Sequence, residues 1–129
     1  MTKDKLPKSL QMYWDCQFSS GPTTGGDYKT FERRFRAWMK KELDEYEVKM
    51  YPNHYEFSAV ITRPASDESP AKYVYVSILD VRFSPRSWAT NILVRAMKHD
   101  RDWTGGYNNY CDICGLKKCV DAIMEEEVK

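Results

Sequence analysis

The sequence predicts an α+β fold: a small antiparallel sheet of about four strands with two flanking helices, built as a single domain. Apolar residues recur at helical spacing in two segments, one near each end of the chain, and the segments between them are β-branched and aromatic with alternating polarity. Because short turns join these middle segments, they favour antiparallel pairing with helices packed on the sheet. A chain of 129 residues that is 42% hydrophobic supplies enough apolar surface for one packed core.

The first part of the chain precedes any clear helical pattern. Residues 1–9 are predicted to be a flexible leader, and the α+β domain to occupy residues 10–129. Residues 10–18, LQMYWDCQF, are rich in aromatic side chains and predict a short strand or an extended segment packed on the core. Residues 19–27 are rich in Ser, Gly, Pro and Thr and predict a loop.

The first helix has the clearest pattern in the sequence. Basic residues, Arg33 and Arg34 among them, occupy the polar faces of this segment. Its apolar residues lie three and four positions apart and so form one stripe: Tyr28, Phe31, Phe35, Trp38 and Met39. This stripe predicts a helix that packs one face on the core.

The middle of the chain predicts the sheet. Three segments combine β-branched and aromatic residues with alternation: residues 46–51, 54–62 and 72–81. Pro52 and Asn53 predict a tight turn between the first two segments. Residues 90–97, TNILVRAM, fit a strand through Ile92, Val94 and Ala96, although the same segment also fits a helix. Their β-branched content favours a fourth strand.

The last segment, DICGLKKCVDAIMEEEVK, predicts the second helix. Four apolar residues lie on one face of it at helical spacing, namely Ile113, Leu116, Val120 and Ile123.

Charge and hydropathy limit the classes of partner. The 20 Lys and Arg residues nearly balance the 19 Asp and Glu residues, which argues against duplex DNA as the main partner. A small anionic ligand needs only a local cationic pocket and is not excluded. No apolar run approaches the roughly 18 residues of a membrane span, and the first residues lack the apolar segment of a secretory signal. We therefore expect a cytoplasmic protein with reduced cysteines.

Three cysteines form a C-x2-C-x4-C array: Cys111, Cys114 and Cys119. The C-x2-C spacing lets two thiolates reach one tetrahedral zinc ion, but a structural site needs a fourth ligand, for which Cys16 or His99 would have to come in from elsewhere. Because a second C-x2-C pair is absent from the sequence, the array is a weak metal signal. The favoured alternative is a set of reduced cysteines with Cys119 facing the core, and a redox role is the third.

Catalytic patterns are not evident. His54 falls in a predicted turn and His99 lies between Lys98 and Asp100 in a charged loop, so both histidines are expected to be solvated surface residues rather than members of a catalytic triad. The sequence contains no G-x-S-x-G, H-E-x-x-H or Walker lysine pattern. We expect a protein that is not an enzyme and that needs no cofactor.

Anion recognition is the chemistry that the loop patterns favour. The segment DWTGGYNN, residues 102–109, offers the Thr104 hydroxyl, the backbone amides of Gly105 and Gly106, and the amides of Asn108 and Asn109. Consecutive glycine N–H groups can form an anion-binding concavity. Further cations and aromatic rings stand nearby in sequence and could bind phosphate and stack a base: Arg82, Phe83, Arg86, Trp88, Arg95 and Arg101. The alternative is that Gly-Gly is an ordinary turn, that the arginines are solvated, and that Phe83 and Trp88 lie in the core.

Three sequence blocks carry a family resemblance: FSSGPTTGGDYKTFERRFRAWMKKEL, YVYVSILDVRF and NILVRAMKHDRDWTGGYNNY. Their order along residues 16–110 resembles small phage proteins that counter the bacterial Thoeris defence by sequestering its signal. The resemblance implies a protein that binds cyclic ADP-ribose isomers, and in some members cyclic oligonucleotides of the CBASS defence, without degrading them. It also implies a homodimer or hexamer with the ADP-ribose pocket between protomers.

Site residues follow from the resemblance position by position. Phe83 would stack a base and Asn91 would hydrogen-bond the ligand, while Arg33 or Arg34 would meet the diphosphate. The anion-binding region would comprise Arg95, Thr104, Gly105, Gly106 and Asn108. The C-x2-C-x4-C array matches nothing in the family. Two alternatives stay open: an inhibitor that binds a host protein such as a defence nuclease, and a small zinc-stabilised interaction domain.

Overall fold

Five consecutive strands form one antiparallel sheet in which each strand pairs with its neighbours in sequence. The computed structural model describes residues 2–15, 25–53, 56–84, 86–97, 99 and 106–125. The strands are β1 (Glu47–Asn53), β2 (Glu56–Arg63), β3 (Lys72–Ile78), β4 (Ile92–Met97) and β5 (Tyr107–Cys111), and the helices are α1 (Gly25–Glu42), α2 (Ser87–Thr90) and α3 (Leu116–Met124). The predicted α+β class is therefore confirmed, with five strands rather than about four.

One face of the sheet, the inner face, forms the core together with the helices. The register pairs Ala59 with Val76 and Val76 with Val94, so that apolar side chains from neighbouring strands line up on this face. The helices α1, α2 and α3 contribute their buried residues to the same cluster. The helical stripes predicted from sequence are confirmed for the buried Tyr28, Phe31, Phe35 and Met39 in α1 and for Leu116, Val120 and Ile123 in α3, while Trp38 is half-buried. Ile113 is buried too, but it lies in a short 3-10 helix, Ile113–Gly115, that precedes α3.

Aromatic contacts hold α1 to the neighbouring elements. The Phe31 ring lies 5.2 Å from that of Tyr13 and 5.2 Å from that of Trp88, both in edge-to-face arrangements. Phe35 continues the stack along the helix and meets Trp88 edge to face at 6.2 Å. Such pairs contribute about 0.5–1.5 kcal/mol each beyond their buried area, so Trp88 links α1 to the short helix α2.

The N-terminal segment packs apolar side chains against the core. Residues Lys3–Lys5 and Lys8–Tyr13 form two 3-10 helices. Leu6 is 4% exposed and Leu10 is fully buried. A strand or extended segment was predicted from residue 10 onward, but the two apolar positions Leu10 and Tyr13 lie three residues apart, which places them on one face of a 3-10 helix.

The strands differ from the sequence prediction at one turn and by one additional strand. Pro52 and Asn53 belong to β1, where they pair with Phe57 and Glu56, so the chain reverses after them rather than at them. Strand β5 was not predicted, because its two asparagines have low strand propensity. Pairing along β4 outweighs that propensity. Residues 92–97 form a strand, as predicted.

Among the described residues, no helix combines the length and the apolar character that crossing a membrane requires.

Candidate functional site

The second face of the sheet, the outer face, carries side chains that alternate with those of the core. Its residues follow from the alternation along each strand and from the register between strands. They are Glu47, Lys49, Tyr51, Glu56, Ser58, Val60, Thr62, Tyr73, Tyr75, Ser77, Leu93, Arg95, Met97, Asn108 and Tyr110.

The helices of the described residues pack on the inner face alone. Every buried apolar helix residue belongs to one core cluster, and that cluster contains no residue of the outer face. Val60 and Met97 are buried, at 7% and 6% exposure, yet they lie outside the cluster. Within the part of the chain that the structure describes, the outer face is thus covered by its own side chains rather than by a helix.

A cation paired with an amide lies on this face. Arg95 on β4 and Asn108 on β5 are register partners, and Arg95 Nη1 donates a hydrogen bond of 2.8 Å to Asn108 Oδ1. Asn108 is exposed and Arg95 is half-buried. Because the amide is neutral, this hydrogen bond does not cancel the positive charge of the guanidinium. The Asn108 side chain also carries an NH2 group, which is a hydrogen-bond donor.

Tyrosines surround this pair. Tyr75 on β3 is the direct register partner of Arg95, and Tyr73 lies two residues away on the same face. Tyr110 on β5 is 61% exposed and Tyr51 on β1 is 45% exposed. Tyr73 and Tyr75 on β3 and Tyr110 on β5 therefore lie on the two strands that flank Arg95 and offer stacking surfaces there, while Tyr51 lies on β1, three strands away.

A second cation approaches a ring near the opposite edge. Lys49 on β1 places its Nζ 5.5 Å from the centre of the Tyr51 ring. Register through Val60 and Tyr75 sets Lys49 and Arg95 on one line across the sheet. Serine and threonine hydroxyls from β2 and β3 stand on the same face, and each can donate or accept a hydrogen bond.

Gly106 brings the chain into β5. Its φ is +76°, a conformation that favours glycine. A Cβ at this position would lie 1.8 Å from the carbonyl oxygen of Ala96. Glycine is therefore required here by the close approach of β4. Thr104 and Gly105, predicted to share an anion-binding loop with Gly106, lie outside the described residues, as does Arg101.

Phe83 and Asn91 lie away from the strands of the outer face. Phe83 follows β3 in a turn and is 80% exposed, with the Arg82 guanidinium 5.2 Å from its ring centre. Asn91 is exposed and ends α2, where its N–H donates to the Ser87 carbonyl at 2.9 Å. Arg82 makes two hydrogen bonds to the Asp80 carboxylate, of 3.0 and 2.6 Å. The positive charge beside Phe83 is thus held by a carboxylate.

The next arginine along the chain also has a structural role. Arg86 stacks 4.3 Å from the centre of the Trp14 ring, donates to the Trp14 carbonyl at 2.9 Å and pairs with Asp15 at 2.6 Å. These contacts attach the N-terminal segment to α2. Trp88 is fully buried and belongs to the core, as the alternative interpretation predicted; the same interpretation also placed Phe83 in the core, which is wrong, because Phe83 is exposed.

Arg33 and Arg34 lie in the helical layer, so the sheet separates them from Arg95 and Asn108 within one chain. Arg33 is exposed. Arg34 Nη1 donates to the Ser9 carbonyl at 3.3 Å and approaches Met12 Sδ at 3.4 Å. The predicted site residues therefore fall into three regions: the outer face, the turn and short helix after β3, and α1.

The three C-terminal cysteines divide into a pair and a single residue. Cys111 at the end of β5 and Cys119 in α3 have neighbouring thiols, and both side chains pack against the core. Cys114 is exposed and its thiol donates to the Lys5 carbonyl at 3.3 Å. Among the described residues, no group of three metal-ligating side chains comes together.

A polar network joins α3 to the end of α1. Tyr46 Oη donates to Asp121 Oδ1 at 2.5 Å, and Lys117 Nζ donates to Asp121 Oδ2 at 2.7 Å and to Glu45 at 2.8 Å. Burial raises the pKa of Asp121, but the hydrogen bonds from Lys117 and Tyr46 outweigh it and hold the pKa below 3.8. Burial, together with the bond to Asp121, raises the pKa of Tyr46 to about 12. Each side chain keeps the protonation state that the network needs.

A shallow depression of about 520 Å³ lies along α3, lined by Cys114, Lys117, Lys118, Asp121, Ala122 and Glu125. Its lining comes from one face of α3 and the turn before it, and Lys117 and Asp121 are already bonded to each other. None of the predicted ligand-binding residues lines this depression, so it carries no binding site in our interpretation.

The tyrosines of the outer face were missed by the sequence analysis. The alternation of Tyr73, Tyr75 and Ser77 in β3 was the signal that could have found them, because it places all three on one face of the strand. Alternation alone does not show which of the two faces of the sheet the helices cover.

Comparisons of the chain with protein-family models, with curated proteins and with solved structures found no match.

Proposed function

We propose that this protein binds a small nucleotide signal on the outer face of its sheet and sequesters it without converting it. The observation that carries the proposal is the Arg95–Asn108 pair set among exposed and half-buried tyrosines on a sheet face that packs no helix of the described residues. A guanidinium, a primary amide and aromatic rings are the groups that recognise a phosphate, a base edge and a base plane.

The chemistry of the ligand follows from these groups. Arg95 binds a phosphate oxygen and can do so with two parallel N–H groups. A base stacks on Tyr75 or Tyr110, where each stacked base contributes about 1–3 kcal/mol. The near-neutral net charge of +1 leaves little attraction for bulk nucleic acid and leaves a local cation to select a small anion.

The identity of the signal is proposed from the sequence resemblance. A cyclic ADP-ribose isomer or a cyclic oligonucleotide carries the phosphates and bases that the outer face suits. Sequestering such a molecule in the host cytoplasm would make the chain a phage anti-defence protein, acting as a homodimer or hexamer. A signal present at low concentration requires a trap of nanomolar affinity, about −12 kcal/mol.

Thermal-shift and calorimetric titrations test the proposal against cyclic ADP-ribose isomers, cyclic di- and trinucleotides, NAD and ADP-ribose. We expect one cyclic species to raise the melting temperature, because a ligand that binds only the folded state stabilises it by mass action. The bound species should be recovered with unchanged mass after heat denaturation. Recovery of a cleaved product would contradict sequestration.

Matched variants locate the site. Arg95→Met and Tyr75→Leu should each weaken binding at least tenfold, whereas Lys40→Met, which removes an exposed cation from α1, should leave binding unchanged. Phe83→Ala, Asn91→Ala and Arg33→Met test separately the residues that the resemblance implies. If Arg95→Met binds as tightly as the original chain, the outer face is not the binding surface.

A second candidate function, binding to a host protein, is favoured by apolar side chains at the turn after β3. Phe83 is 80% exposed and Leu79 is 50% exposed. Affinity purification from host cells decides between the candidates. A stoichiometric protein partner that is lost with Phe83→Ser, combined with no response to any nucleotide, would establish this alternative.

A further inference from the structure

We infer that Cys111 and Cys119 form a reversible intramolecular disulfide that ties the edge strand β5 to α3. This inference does not rest on the proposed function. It starts from the position of the two residues: Cys111 is the last residue of β5, and Cys119 lies in the first half of α3. Both thiols are free in the structure.

Contact between the two thiols is the main observation. The two thiols are neighbours, and both side chains are partly buried against the same core cluster, on the face of the sheet where α3 packs on β5. Cys114, although closer in sequence to both, turns its thiol to the Lys5 carbonyl at the surface. The fold therefore selects one partner for Cys111 out of the array, and the selection is opposite to the one that C-x2-C spacing suggests.

Because β5 lies at the edge of the sheet, a Cys111–Cys119 disulfide would change how firmly this strand is held. β5 has five residues and pairs with β4 alone, at the edge of the sheet. α3 packs on β3, β4 and β5. A covalent bond from Cys111 to α3 would thus fasten the edge strand that carries Asn108 and Tyr110 to a helix anchored on the centre of the sheet.

The reaction is a thiol–disulfide exchange with a low-molecular-weight disulfide such as oxidised glutathione. One thiolate of the pair attacks the small disulfide, forming a mixed disulfide and releasing one thiol. The second cysteine then attacks the protein sulfur of that mixed disulfide and releases the other thiol. Two protein thiols are oxidised, one small disulfide is reduced to two thiols, and the protein loses two hydrogen atoms.

Burial of the two thiols determines the pH at which the exchange should be carried out. It raises the pKa of Cys111 to about 12, with neighbouring Cys119 and Asp112 adding to the shift, and it raises the pKa of Cys119 as well. Since the thiolate is the attacking species, exchange should be slow near neutral pH and about tenfold faster for each pH unit above it. The exchange is therefore carried out at about pH 8.5.

The test uses the full chain with its four cysteines, incubated folded with oxidised glutathione and then mapped by tryptic digestion without reduction. Lys117 and Lys118 lie between Cys114 and Cys119, so trypsin separates Cys119 from the other two cysteines of the array. A disulfide then appears as two joined peptides, and fragmentation of the joined pair distinguishes Cys111 from Cys114. The same reaction in denaturant gives the distribution that an unfolded chain produces.

We expect most of the folded protein to carry the Cys111–Cys119 bond, well above the share found in denaturant. Cys114→Ser should retain that bond, whereas Cys111→Ser and Cys119→Ser should lose it. Amide hydrogen exchange at Tyr110 should slow several-fold on oxidation and recover after reduction. A folded chain that stays reduced, that joins Cys114 instead, or that shows unchanged exchange in β5 after oxidation overturns the inference.

Discussion

Gly106 shows how one residue sets the geometry beside the candidate site. Its positive φ and its approach to the Ala96 carbonyl start β5 in the register that pairs Asn108 with Arg95. From the sequence, Gly106 was expected in an anion-binding loop, because glycine allows a ligand to come close. In the structure the group that comes close is the neighbouring strand.

Replacement of Gly106 should therefore destabilise the fold. Gly106→Ala places a Cβ against backbone and forces a strained φ, for which we expect a loss of about 2 kcal/mol or more in the free energy of unfolding. Urea denaturation followed by fluorescence measures it. Gly115→Ala is the matched control, because its Cβ would meet its nearest neighbours at 3.4 and 3.8 Å and its φ is −93°. Equal losses in both variants would contradict this account of Gly106.

The candidate site was partly predictable at the scale of single residues. Arg95 and Asn108 were identified from their types, since a guanidinium and an amide near glycines suit an anion. Their pairing required the register of β4 with β5, and β5 itself was not predicted. Phe83 and Arg33 were assigned to the same ligand, but the structure places them on different elements, one in a turn and one on α1.

At the scale of elements, α3 depends on polar contacts at its exposed side as well as on its buried stripe. Arg63 Nη1 donates to the Met124 carbonyl at 2.5 Å, which satisfies one of the free carbonyls at the helix end. Asp121 joins the middle of the helix to Tyr46 and, through Lys117, to Glu45. The sequence predicted the buried face of α3 from spacing, but it held no signal for partners 75 residues away.

Asp121 should make stability depend on pH in the acid range. Its pKa is below 3.8 in the folded chain, so its contribution is complete above the unfolded value and is lost as pH falls through the folded value. Asp121→Asn should cost about 0.5–1.5 kcal/mol at neutral pH and flatten the acid side of the stability curve. Unfolding free energies from pH 7 to about 2.5 measure this. Glu45→Gln, at a more exposed carboxylate, is the control with little effect.

At the scale of the whole molecule, the described residues form one core cluster, to which α1, α2 and α3 all contribute. The fold class was predictable because two amphipathic helices and alternating strands allow few arrangements. The side of the sheet that stays open was not predictable, since it depends on where every helix packs. The net charge of the chain, known from the sequence, limits the class of partner. Only the structure shows that Arg82 and Arg86 form salt bridges with carboxylates.

A shared core should unfold as one unit. Phe35→Ala removes a fully buried ring from α1 and should cost about 3–5 kcal/mol. Because α1 and the sheet share one cluster, the loss should lower a single transition rather than separate two. Calorimetry and circular dichroism measured together check this, with Arg33→Ala on the exposed face of the same helix as control. A second transition in the Phe35→Ala variant would show that α1 and the sheet unfold independently.

The order of the strands also determines which contacts can form while the chain emerges from the ribosome. Every strand pairs with the one synthesised just before it, so hairpins can form without waiting for distant segments, which favours rapid folding. α3 comes last and packs on β3, β4 and β5. Until it leaves the exit tunnel, the nascent sheet shows an apolar surface of the kind that chaperones recognise. We expect ribosome-bound chains halted before Leu116 to recruit chaperones, and chains halted well beyond Met124 to be released from them.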